Sequence, residues 1–145
     1  MKKKIPIIVL LLTCFLGFSQ KEVTWQDLAK ISFKEKFFSE YDEYFLYPEF
    51  SPSVKAMEGK RIRIKGYFLN IDSSGELYII SKGPMSACFF CGVGGPETAV
   101  EVHFKSTPNF KTDMIIAVTG TLKLNQDDVE HFNYMLLEAE GELIN

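Results

Sequence analysis

The sequence predicts a mainly β protein, built as a small Greek-key barrel of five or six strands with a short N-terminal helix. Aromatic residues make up 14% of the 145 residues, and aromatic side chains favour strands. Short runs of alternating apolar and polar residues follow one another from residue 60 onwards. Gly66 and Gly120 lie inside two of these runs, where glycine permits the bend or bulge that closes a small barrel. The OB-fold has this form at about this length, and a β-sandwich is the alternative.

Residues 1–19 are predicted to be a secretory signal peptide. Three lysines precede an apolar stretch that is too short to span a membrane. Gly17 and Ser19 put small residues at the −3 and −1 positions of a cleavage site after Ser19. Residues 20–145 would then be a single OB-like domain without a transmembrane span, periplasmic or extracellular and soluble. A lipoprotein acylated at Cys14 is the alternative, although a threonine is a poor residue before a lipidated cysteine.

The charge of the mature chain bears on its partners. Cleavage removes three lysines and changes the formal net charge from −3 to −6. An acidic exported protein is not expected to bind nucleic acid, so we interpret the basic strand face of Arg61, Arg63 and Lys65 as a solvated surface. Export also implies an oxidising compartment, in which paired cysteines are oxidised unless they hold a metal.

Three segments precede the barrel strands. Thr24 and Asp27 have the spacing of a capping box, so a short helix is predicted to begin here. The stretch 32–47 fits both a helical stripe and an alternating strand. Because it is aromatic and poor in alanine, we interpret it as strands. Residues 53–59 are predicted to form one helical turn.

Alternation then predicts the strands of the barrel. In residues 100–105 the apolar side chains are expected to face the core, so that Glu101, His103 and Lys105 would face solvent. Gly120 lies at the centre of the longest strand, where a bend or bulge is expected. The predicted strands cover residues 60–68, 77–80, 100–105, 114–124 and 132–139.

Cys88 and Cys91 form a Cys-x-x-Cys-Gly turn, and they are the only cysteines outside the predicted signal peptide. Two thiolates at this spacing bind one soft ion such as zinc or copper, and Gly92 gives the turn its conformational freedom. A closed zinc site needs four ligands, which Glu97 and the two histidines, His103 and His131, could complete. Both histidines have the sequence context of surface residues, so the predicted metal ligands are Cys88, Cys91 and Glu97.

Other functions of the two thiols stay open. A structural disulfide would make the loop part of an interaction module. A thiol–disulfide oxidoreductase usually has its first cysteine at a helix N-terminus, whereas Gly92, Gly94 and Gly95 disfavour a helix here. The sequence contains no Gly-x-Ser-x-Gly, His-Glu-x-x-His or phosphate-loop motif. We therefore expect a binding protein rather than an enzyme.

Two motifs carry a resemblance to a known family. They are Gly59-Lys60-x-Ile62-x-Ile64-Lys65-Gly66-Tyr67 and the Ala87-Cys88-Phe89-Phe90-Cys91-Gly92 loop followed by Gly95-Pro96-Glu97. Residues 59–140 resemble an uncharacterised family of exported bacterial proteins and, more distantly, a broader envelope family of unknown function. That broader family has Ala-Cys-x-His, whereas this chain has Cys88-x-x-Cys91. Replacing the histidine with a cysteine keeps two ligands that suit a soft metal ion. The resemblance implies an OB-like barrel linked to envelope metal or transport systems, with a metal ion or an unknown envelope protein as partner.

Overall fold

The computed structural model describes residues 20–72, 74, 77–88 and 91–144. The predicted signal peptide, its cleavage site and Cys14 lie outside the described residues. The helices are α1 (Trp25–Leu28) and α2 (Pro52–Lys55). The strands are β1 (Lys21–Glu22), β2 (Ile31–Phe38), β3 (Glu43–Phe50), β4 (Arg61–Asn70), β5 (Tyr78–Ser81), β6 (Ala99–Phe104), β7 (Ile115–Leu124) and β8 (Tyr134–Leu143).

Five strands close into a mixed barrel, which confirms the predicted OB-like architecture. The order is β4-β5-β6-β8-β7, and β7 pairs again with β4. All neighbours are antiparallel except β6 and β8, which run parallel. The closed sheet excludes the β-sandwich alternative. The two-residue β1 adds to the outside of β4 as a sixth, parallel strand.

The barrel core follows the predicted alternation. Ile62 and Ile64 of β4 are 1% exposed, and they share one apolar cluster with Ile116 and Val118 of β7. Gly66 lies where β4 meets β5, and a Cβ atom there would come within 2.5 Å of the Ser81 carbonyl oxygen and 2.9 Å of Trp25 Cζ2. The strand can make this close approach because glycine has no side chain.

The irregularity predicted at Gly120 is confirmed. The register of β7 against β8 shifts between Thr119 and Thr121, and β6 shifts against the same part of β8. In both pairings β8 contains the extra residue, and Glu138 has a φ of 50°. This is a β-bulge, which bends the strand and re-aims neighbouring side chains.

The N-terminal helix is fastened to the barrel at both ends. Its capping box is formed: Thr24 Oγ1 accepts from the Asp27 N–H at 3.3 Å, and Asp27 Oδ2 accepts from the Thr24 N–H at 3.1 Å. Trp25 donates its indole N–H to the Lys65 carbonyl at 2.8 Å. The Tyr134 hydroxyl donates to the Leu28 carbonyl at 2.7 Å. These two bonds tie α1 to β4 and β8.

The stretch predicted as strands at residues 32–47 forms β2 and β3, an antiparallel hairpin with its own two-stranded sheet outside the barrel. Phe50, at one end of the hairpin, is buried in the barrel core. Gln126 donates to the Pro48 carbonyl at 2.9 Å, and farther towards the tip Lys36 pairs with Asp127 at 3.0 Å. The hairpin therefore lies against the connection between β7 and β8.

The basic face of β4 is paired with acidic neighbours. Arg61 contacts Glu140 at 3.4 Å, and Arg63 contacts both Glu22 and Glu142. The two arginines are thus compensated within the barrel. Among the described residues, no helix is long and apolar enough to cross a membrane.

Candidate metal centre

A cluster of three potential metal ligands lies where β6 meets the 125–133 connection between β7 and β8. Glu101 and His103 are two residues apart on β6, so their side chains leave the same face of the strand. His131 reaches them from the connection, because the parallel pairing of Glu101 with Met135 brings the start of β8 beside β6. Residues that are 30 positions apart in the chain thus share one site.

Glu101 is the buried centre of this cluster. It is only 3% exposed, so the prediction that it faces solvent was wrong. The alternation of β6 is correct, but the 125–133 connection covers the outward face. Glu101 Oε1 lies 2.7 Å from His103 Nε2 and 2.9 Å from His131 Nδ1. Its Oε2 accepts from the Phe132 N–H at 3.1 Å.

Hydrogen bonds of the Asn125 side chain stabilise the conformation of the 125–133 connection. The side-chain N–H groups of Asn125 donate to the Asp128 carbonyl at 2.7 Å and the His131 carbonyl at 3.1 Å, and its Oδ1 accepts from the Asp128 N–H at 3.1 Å. These bonds close the loop on itself and fix the backbone that carries His131. Asp128 Oδ2 also lies 3.9 Å from His131 Nε2.

The cluster has the chemistry of a divalent-metal site. The three ligand atoms, one carboxylate oxygen and two imidazole nitrogens, all lie within 4.8 Å of one another. A tetrahedral ion with bonds of about 2.1 Å places such ligands about 3.4 Å apart, so the two hydrogen-bonded contacts would widen slightly and the widest separation would close by up to about 1.4 Å. The histidine side chains are 47% and 42% exposed, as predicted for surface residues. An ion could therefore enter from solvent.

The two thiols lie elsewhere, beside β5 and β6. Cys88 is 2% exposed and packs with Leu69, Ile79 and Ala99, whereas Cys91 is exposed. Their Sγ atoms are 3.9 Å apart, and Cys91 donates to the Met85 carbonyl at 2.9 Å. The hydrogen bond with Cys88 and partial burial raise the pKa of Cys91. Cys91 is therefore not set up as an activated nucleophile.

Glu97 follows the thiols in a single helical turn, Pro96–Thr98. Its carboxylate folds back over Gly95, and its charge, after burial, contributes to the raised pKa of Tyr134. Within the part of the chain that the structure describes, the set of three ligands close enough to share an ion is Glu101, His103 and His131. The assignment of Cys88, Cys91 and Glu97 stays a prediction.

Sequence reasoning named both histidines but missed Glu101. The available signal was the Glu101-x-His103 spacing on one strand, which puts an acid and an imidazole side by side. Nothing local indicated that the face would be covered, because the cover comes from a loop that follows the next strand.

No protein family, curated protein or solved structure matches the chain. The resemblance to exported envelope proteins therefore stays a prediction, and the function is inferred from the side chains of the chain itself.

Proposed function

We propose that the protein is an exported binding protein that holds one divalent transition-metal ion through Glu101, His103 and His131. The observation that carries the proposal is that two imidazole nitrogens point at one buried carboxylate oxygen, at 2.7 and 2.9 Å. Two nitrogen ligands and one oxygen ligand suit zinc, and also copper in its divalent state.

The charge of Glu101 supports this proposal. A buried carboxylate is costly unless it is paired or coordinates a metal. Among the ion pairs of the described residues, Glu101 has only the two histidines as partners, and these are cationic only when protonated. A divalent ion would replace protons on the two rings and neutralise the carboxylate directly.

Binding rather than catalysis is favoured by the absence of catalytic motifs from the sequence. Three protein ligands leave the fourth position of a tetrahedral ion to water or to a group from a partner. Such an open position suits transfer or sensing of the ion in the cell envelope. The features of residues 1–19 and the resemblance of residues 59–140 to exported proteins support that location.

A soft-metal site at Cys88 and Cys91 is the second candidate. Two sulfur ligands at about 2.3 Å from a tetrahedral ion lie about 3.8 Å apart. The observed Sγ–Sγ distance of 3.9 Å is close to that value. Cys91 is exposed, so an ion could reach the pair, with Glu97 as the predicted third ligand.

One titration separates the two sites. Zinc is added to reduced, metal-free protein and binding is measured by calorimetry. We expect one ion per chain, with the affinity lowered at least about 10-fold in His103→Ala, His131→Ala and Glu101→Gln. Lys105→Ala, on the same strand face, and the double variant Cys88→Ser, Cys91→Ser should bind as the wild type does.

Cobalt provides a second readout of the ligands. Cobalt bound by nitrogen and oxygen lacks the intense near-ultraviolet absorption of a thiolate complex, so its spectrum identifies the site directly. Unchanged affinity in the histidine variants would overturn the proposal. Thiolate absorption that is lost in the double cysteine variant would establish the second candidate instead.

A further inference from the structure

A groove separates the β2–β3 hairpin from the 125–133 connection. Its volume is about 450 Å³, which lies within the range of small-molecule sites. Tyr44 and Phe45 of β3 and Phe38 of β2 line the hairpin side, and Asp128 and Glu130 lie on the opposite side. The groove therefore has three aromatic rings on the hairpin side and two carboxylates, next to the apolar Val129 and Phe132, on the other.

The aromatic side is built from rings at steep angles to one another. The Phe45 ring lies 5.7 Å from Phe38 at an angle of 87°, and 5.7 Å from Tyr41 at 77°. Tyr44 adds a ring that is 65% exposed. Rings arranged in this way present π faces in more than one direction, and such faces attract cations.

The carboxylates that line the groove are not matched by a basic side chain among the described lining residues other than His131. The charged side chains that line it, among the described residues, are Asp128 and Glu130, and no lysine or arginine does so. Partial desolvation raises the pKa of the Tyr41 hydroxyl, and the negative charges of Glu130, Glu40 and Asp128 raise it further. Because both carboxylates and the rings of Phe38, Tyr44 and Phe45 line one groove, they can act on the same occupant.

The hairpin contains one example of an ammonium group placed between aromatic rings and a carboxylate. Lys36 Nζ lies 4.0 Å from the centre of the Tyr47 ring and 5.0 Å from that of Phe38. The same ammonium group contacts Asp127 Oδ1 at 3.0 Å. Aromatic faces and one carboxylate therefore bind a cation on the neighbouring part of the hairpin.

We propose that the groove binds a small organic ammonium ion of the quaternary or alkylated class, with its alkyl groups on Tyr44 and Phe45 and its charge facing Glu130 and Asp128. A neutral apolar occupant would desolvate both carboxylates without compensation, and an anion would be repelled by them. The inference does not rest on metal binding, although His131 lines the groove as well.

Choline is a suitable probe because a neutral isostere exists, 3,3-dimethylbutan-1-ol, in which carbon replaces the charged nitrogen. Each is titrated into the metal-free full chain while amide chemical shifts are followed by NMR. We expect saturable choline binding, at least about 10-fold tighter than that of the alcohol, the equivalent of about 1.4 kcal/mol.

Three variants locate the binding. Tyr44→Leu and Glu130→Gln should each weaken choline binding at least about 5-fold, in line with the strength of a cation–π contact. Both sites are exposed, so the fold should be retained. Glu43→Gln, an exposed hairpin acid that does not line the groove, should change nothing. Equal affinity for the alcohol, or binding to phosphatidylcholine vesicles without binding of free choline, would overturn the proposal, as would the absence of saturation.

Discussion

Tyr134 on β8 donates its hydroxyl hydrogen to the carbonyl oxygen of Leu28, at the end of α1, over 2.7 Å. The two residues are 0% and 1% exposed. The bond joins the first helix to the last strand inside the core, where burial also raises the pKa of Tyr134.

Tyr134→Phe should lower the free energy of unfolding by about 1–3 kcal/mol, because the Leu28 carbonyl would remain buried without its donor. Urea denaturation measures the change. Tyr78→Phe is the matched control, since no hydrogen bond of the Tyr78 hydroxyl is found among the described residues. The control should change stability by less than about 0.5 kcal/mol. Equal effects of the two substitutions would contradict the role given to the Leu28 bond.

Gly66→Ala should destabilise the barrel by at least about 1–3 kcal/mol, because the added methyl group meets the Ser81 backbone at 2.5 Å. It would also displace Trp25, the only tryptophan of the chain, so the intrinsic fluorescence should shift. Gly92→Ala serves as the comparison. Among the described residues it adds no contact within 4 Å, and its φ of 75° is the strain that disfavours it. A normal emission spectrum in Gly66→Ala would show that β4 and α1 are less closely packed than described.

The capping box of α1 should make the stability of the protein depend on pH. Hydrogen bonds from Thr24 lower the pKa of Asp27 from 3.8 to about 2. The contribution of Asp27 should therefore be fully present above about pH 4 and disappear as the pH falls through about 2. Asp27→Asn should lower the melting temperature at pH 6, and the difference from the wild type should close near pH 2. Because the carboxylate is exposed to solvent, we expect less than about 1 kcal/mol. A difference that is constant with pH would exclude this linkage.

The two thiols should differ in reactivity. In reduced native protein, iodoacetamide should modify the exposed Cys91 and leave the buried Cys88 unmodified. The rate should continue to rise above pH 9, because the pKa of Cys91 is raised and the thiolate is the reactive form. Peptide mass spectrometry at several pH values checks both statements. Modification of both residues at one rate would mean that the loop opens readily.

The strands were predictable from the sequence where one face of a strand is buried and the other is exposed to solvent. Ile62 and Ile64 alternate with Arg61 and Arg63, and this pattern determines the orientation of β4 without any knowledge of its neighbours. Gly120 was informative for a similar reason, because a glycine inside a strand indicates a local irregularity.

The candidate metal site was harder to predict from the sequence, because it depends on the pairing of segments that are distant in the chain. His131 meets Glu101 only since β8 lies parallel to β6, with the whole of β7 between them in sequence. Alternation along β6 describes which residues leave the core, but it contains no information about a loop that later covers them. The hairpin of β2 and β3 was likewise recognisable as strands, whereas its position outside the barrel was not.

The parallel pairing of β6 and β8 also determines whether the metal ion binds before or after the barrel closes. Until β8 joins, β6 and β7 are open sheet edges, and His131 is not held beside Glu101 and His103. Because this pairing joins strands that are separated by the whole of β7, its closure is a slow, non-local step in folding. A metal ion would therefore bind after the barrel has closed and could not act as its nucleus. It would slow unfolding of the finished protein more than it would accelerate folding.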